Sequence, residues 1–96
     1  MIKHIVCFKI KEEYKDKIAL AATTLKSMEE HVPNIKSIQV GVDFLHSSRS
    51  YDIILEVELE NKEELEKFQN DPYHCSVVKK LMHEIREASI AVDYEE

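Results

Sequence analysis

Residues 51–74 read YDIILEVELENKEELEKFQNDPYH, and this stretch decides the fold. Its first nine residues alternate strictly. Tyr51, Ile53, Leu55, Val57 and Leu59 share one face, while Asp52, Ile54, Glu56 and Glu58 share the other, which is the period of a half-buried strand. Asn61 then has the side chain of a helix N-cap, and Glu64 stands three residues on as its capping-box partner. A short helix follows through Leu65 and Phe68. Asp71-Pro72 restarts a second helix, with Asp71 as N-cap and proline at the first position, where a missing N–H costs nothing. The apolar stripe predicted for this helix is His74, Val77, Val78, Leu81 and Ile85.

The flanks supply the remaining elements. Residues 88–94 alternate again, with Ile90, Val92 and Tyr94 on one face. Upstream, residues 2–10 form a strand with Ile2, His4, Val6, Phe8 and Ile10 on one face and Lys3, Ile5, Cys7 and Lys9 on the other. Residues 14–31 change to helical spacing, with Ile18, Ala21, Ala22, Leu25, Met28 and Val32 in one stripe that Pro33 brings to an end. Alternation resumes over residues 35–43 through Ile38, Val40 and Val42. Gly41 there marks a bulge or a close backbone approach, and residues 46–50 read as the longest loop.

The order is β-α-β-β-α(α)-β, a split βαβ arrangement within one domain spanning residues 1–96. It predicts an α+β, ferredoxin-like fold, a four-stranded antiparallel sheet with helices on one face. The opposite face, carrying Ile5, Cys7 and Ile54, then needs cover, and a second copy of the chain is the expected partner.

Composition narrows the functional classes. With one Gly, two Pro and a third of its 96 residues charged, the chain is neither disordered nor loop-rich. A net charge of −6 with interleaved signs and no basic block argues against nucleic acid as a partner. The first residues alternate in polarity, unlike a signal-peptide core. No run approaches the roughly 18–20 apolar residues of a membrane span. Cys7 and Cys75 are too few and too far apart for a disulfide framework, which favours free thiols and a cytoplasmic location.

Certain landmarks also fall in a recognisable order: Ile2-Lys3-His4-Ile5-Val6, Gly41-x-Asp43, Tyr51-Asp52, Asp71-Pro72-x-His74 and Val92-Asp93-Tyr94. Together they resemble the stress-responsive A/B barrel (Dabb) family over nearly the whole chain. The resemblance implies a homodimeric α+β barrel in which two four-stranded sheets pack face to face with helices outside. Most members have no assigned reaction. Some plant relatives cyclise a linear polyketide in a cavity between sheet and helices, using the histidine that matches His74. Antibiotic-biosynthesis-type monooxygenases share the barrel. This chain departs from the cyclising relatives at three positions: Phe68 replaces a tyrosine, and Asp71 and Ile53 each replace a histidine. The catalytic partner set is therefore incomplete.

His4 and His74 are the candidate catalytic pair. Both project from predicted core faces, and imidazole titrates near pH 6.5, which suits proton transfer. The expected pocket is apolar, lined by Val6, Phe8, Leu55, Phe68, Val77 and Leu81 with the two histidines as polar anchors. Tyr51 and Tyr73 are the alternative hydroxyls, with Tyr73 at the rim. His83 lies roughly opposite His74 on a regular helix, so no metal-ligand spacing forms. The lone Gly excludes a phosphate-cradling loop, and neither cysteine is placed as a nucleophile. No cofactor is expected. Three functions fit: a homodimeric domain binding a small apolar or aromatic molecule; a cofactor-free cyclase, lyase or isomerase with His74 as acid/base; or a structural dimer without a ligand.

Overall fold

The structure is a computed structural model that describes all of residues 1–96. Four strands, β1 (Ile2–Ile10), β2 (Ser37–Val42), β3 (Ile53–Leu59) and β4 (Arg86–Glu95), form one antiparallel sheet in the order β2-β3-β1-β4. The helical segments α1 (Ile18–Lys26), α2 (Met28–His31), α3 (Lys62–Gln69) and α4 (Lys79–Ile85) cover one face. The ferredoxin-like α+β class read from the sequence is the observed class.

Alternation explains the layering. On the helix side, Ile2, Phe8, Ile10, Ile53, Leu55, Val57 and Leu59 are buried and meet Leu25, Met28, Phe68, Val78, Met82 and Ile85 from the helices. On the other side, Cys7 pairs with Ile54 and Ile90 across the sheet, and Ile5 pairs with Glu56 and Val92. Ile90 and Val92 remain 53% and 57% exposed there. Gly41 sits on this bare face without a bulge. A Cβ at Gly41 would meet Ile54 Cγ2 at 3.1 Å, so the glycine permits close approach of β2 to β3. The bulge falls instead where Lys9 and Ile10 pair with β4.

Two local departures have physical causes. The helix expected over 14–31 is broken into a 3₁₀ turn (Glu12–Lys17), α1 and α2. The second break falls at Ser27, whose hydroxyl donates to Thr24 O at 2.6 Å and also bonds Tyr73 Oη. Such side-chain bonds to the backbone compete with regular helix. Asp52, read as part of the bare face, is instead buried, because β3 begins only at Ile53. Its Oδ2 accepts the Ile10 N–H and the Lys15 ammonium, each at 2.8 Å. Burial pushes this carboxyl up, but the Ile10 N–H and Lys15 outweigh burial and hold it below the ordinary aspartate value. Asp52 thus pins the far end of β1 to β3 and to the turn before α1.

The helix starts follow their caps. Asn61 Oδ1 accepts the Glu64 N–H at 3.0 Å, while the Glu64 carboxylate turns to Asn34 and Lys67, so only half of the capping box forms. Asp71 Oδ1 accepts the N–H groups of Tyr73 and His74. The helix after Asp71 is not uniform. Residues His74–Val78 form a π turn, in which the Lys79 N–H bonds His74 O, five residues back.

Candidate functional site

The π turn sets the site's geometry. A wide turn advances less around the axis per residue than an α turn, so the buried stripe runs His74, Val78, Met82, Ile85 in place of the predicted His74, Val77, Val78, Leu81, Ile85. Val77 is turned outward, 41% exposed. Leu81 packs against the edge of the core, half-buried, and does not line the cavity. Val78 keeps its predicted place in the stripe, Met82 joins it, and these two line the cavity.

Between this helix and the sheet lies a cavity of about 250 Å³. Val6, Phe8 and Leu55 line it, and both His4 and His74 open onto it. Phe68 stands behind the two imidazoles, fully buried. Its ring stacks on His74 at 4.4 Å between centroids and meets His4 edge-on at 5.5 Å. A larger depression of about 820 Å³ beside α1 and β2 is open, lined mainly by polar residues and without histidine, so it offers less to an apolar ligand.

Each imidazole is oriented by one partner. His74 Nδ1 lies 2.9 Å from Phe68 O. A carbonyl only accepts, so Nδ1 carries the proton and Nε2 keeps its lone pair. Burial pushes the His74 pKa below the usual histidine value; Lys79 and His4 push the same way, and the Phe68 carbonyl and the Asp71 charge oppose them without outweighing them. His74 is accordingly a neutral base at pH 7. His4 is the cross-strand partner of Asp93, and its Nδ1 donates to Asp93 Oδ1. Sequence reading missed Asp93. The available signal was parity: it alternates with Val92 and Tyr94 and so shares the His4 face.

The neutral state of His74 has a measurable consequence. The unfolded histidine gains a proton as pH falls through about 6.5, whereas folded His74 gains one only at lower pH. The unfolded state thus binds more protons in that window, and His74 costs stability as pH falls from about 6.5 through its folded pKa. Urea unfolding at pH 7 and pH 5.5 should show a larger loss for wild type than for His74→Gln. Equal losses would mean that His74 does not enter the core uncharged.

Other candidates lie apart. Tyr73 stacks on His31 at 4.2 Å and bonds Ser27, which fixes it on α1 and α2. Tyr51 lies by Cys7 and Gly41 just ahead of β3. Burial, with Glu56 nearby, pushes the Cys7 thiol above its ordinary value, which disfavours a thiolate nucleophile. No three His, Cys, Asp or Glu side chains converge into a metal cradle. No helix is long and apolar enough to cross a membrane.

Fold and site together define a ferredoxin-like α+β protein with a histidine-bearing cavity under its helices. The family model for the stress responsive A/B barrel domain matches residues 2–96, and the chain belongs to that family. No curated protein matches it. Among solved structures it is similar to a dimeric ferredoxin-like protein of unknown function from Bacteroides fragilis, with 24% identity, a TM-score of 0.82, and coverage of 99% of this chain and 95% of that one. A dabb family protein from Mesorhizobium loti has 14% identity and a TM-score of 0.82, covering 99% and 95%. The hydroxynitrile lyase of Passiflora edulis has 15% identity and a TM-score of 0.83, covering 97% and 90%.

Proposed function

We propose that the protein is a homodimeric small-molecule-binding domain, with one ligand site per chain in the cavity between His4, His74, Val6, Leu55, Val78 and Met82. The observation that carries this reading is His74 itself. A buried imidazole whose Nδ1 is satisfied by Phe68 O still presents the Nε2 lone pair to an apolar cavity, and that acceptor suits a ligand with an O–H or N–H donor. Phenol is a fitting probe, being a compact apolar body with one hydroxyl. Titrated into the protein, it should shift the Met82 and Val78 methyl resonances saturably, and unmoved methyls would reject the site.

The second copy is placed on the bare sheet face. Ile54, Ile90, Val92 and Tyr94 are exposed there, and Phe44 and Leu45 are exposed in the β2–β3 loop. The dimeric description of the Bacteroides fragilis relative supports this pairing. Two unpaired cysteines suit a reducing compartment, and we place the protein in the cytoplasm.

A catalytic reading is favoured by one arrangement. His4, held from behind by Asp93, and the bare Nε2 of His74 open onto the same cavity, which is the equipment of a cofactor-free lyase, isomerase or cyclase. The hydroxynitrile lyase among the structural relatives is consistent with such chemistry on this fold. Turnover of an aromatic or polyketide-like compound should vanish in His74→Ala, and retained turnover would remove His74 from catalysis.

A further inference from the structure

The mouth of the cavity has a charge that the chain as a whole does not. Acidic residues outnumber basic ones by 19 to 13, yet the cavity lining includes Lys79, His83 and Arg86 and no carboxylate. The two carboxylates that bond lining residues are both engaged there, Asp93 by the His4 imidazole and Asp71 by the N–H groups of Tyr73 and His74. Lys79 and Arg86 are half-buried, and no Asp or Glu lies within ion-pair distance of either. Lys79 Nζ donates to Gln69 O at 3.0 Å and Arg86 to Ser89 Oγ, and neither has another protein acceptor. Most of their N–H donors are therefore available to a ligand.

Position and physics reinforce each other. Lys79 is the first residue of α4 and Arg86 the first of β4, so rigid elements hold both at the cavity edge. Lys79 is close enough that its charge is felt at His74. Cations without counter-ions in a cleft with low-dielectric walls focus a positive potential into it. The guanidinium fork matches a carboxylate in shape, and the ammonium adds a second point of contact. Behind them the walls are Val6, Leu55, Val78 and Met82, which suit a compact hydrocarbon body.

We propose that the cavity selects a small amphipathic organic anion, a carboxylate with an apolar body of about one ring, held at its charged end by Arg86 and Lys79. This rests on the reading of the cavity as a small-molecule site and names the ligand class it takes. The anion approaches a chain whose net charge of −6 would otherwise repel it, so the two basic residues act as a local filter.

Benzoate and benzamide test it, because they share a shape and differ in charge. Affinities come from the Met82 methyl shift at low ionic strength. Wild type should bind benzoate on the order of 10-fold more tightly than benzamide. The ratio should shrink in 0.5 M salt and collapse to about one in Lys79→Gln/Arg86→Gln, benzoate losing far more affinity than benzamide. Equal binding of the two probes by wild type would overturn the anion filter and leave the small-molecule site standing. A preference that survives the double substitution, or high salt in wild type, would overturn it too. Failure of both probes to bind would sink the site and the filter together.

Discussion

Phe68→Ala is expected to lower the free energy of unfolding by about 3–5 kcal/mol, the range for removing a fully buried aromatic ring. The residue is completely inaccessible and belongs to the core shared by α3, α4 and the sheet. Its loss leaves a void bounded in part by two imidazoles, and rings held by hydrogen bonds collapse poorly into such a space. His74 loses its stacking partner at 4.4 Å and His4 its edge contact at 5.5 Å. Out of a total stability of about 5–15 kcal/mol for a domain, such a loss leaves little margin. Phe68→Leu should recover part of it by filling volume without restoring the stacking. Urea unfolding reads both variants. A cost below about 1 kcal/mol for Phe68→Ala would mean that the ring neither fills the core nor braces the histidines.

The second large effect is on assembly. Ile90→Glu/Val92→Glu should convert a homodimer into a monomer, so light scattering falls from about twice the 11.2 kDa chain mass to the chain mass itself. Both side chains are more than half exposed in the isolated chain, so the charges cost little there. Across a two-fold interface each new carboxylate meets apolar surface or its own symmetry mate, and like-charge juxtaposition costs several kcal/mol. Each 1.4 kcal/mol weakens association about tenfold. Unchanged circular dichroism would show that the fold persists. A variant that still sediments as a dimer would move the interface to another face, and a monomeric wild type would remove it.

Much of this architecture could be read from residue periods, because strand alternation and helix caps are local. The strand Ile53–Leu59, the caps at Asn61 and Asp71, and the bare face carrying Ile5, Cys7 and Ile54 all follow from neighbours in sequence. What escaped reading depends on contacts across the fold. The π turn breaks the 3.6-residue assumption, so Val77 and Leu81 were expected where Val78 and Met82 line the cavity. The His4–Asp93 bond joins residues 89 apart and exists only because β1 and β4 are neighbours. Asp52 takes its place from Ile10 and Lys15, neither of which is local to it. Phe68, read as the loss of a hydroxyl, proves to supply the carbonyl and the ring that orient His74.

The central claim is that His74 presents an unprotonated Nε2 to a cavity that admits a ligand. Nitrogen-15 NMR of the histidine side chains at pH 7, with and without phenol, tests it most directly. The expected result is a single His74 tautomer with the proton on Nδ1 and a bare Nε2 whose resonance moves saturably as the phenol hydroxyl donates to it. A protonated Nε2, or one that phenol leaves unmoved at saturating concentration, would contradict the account.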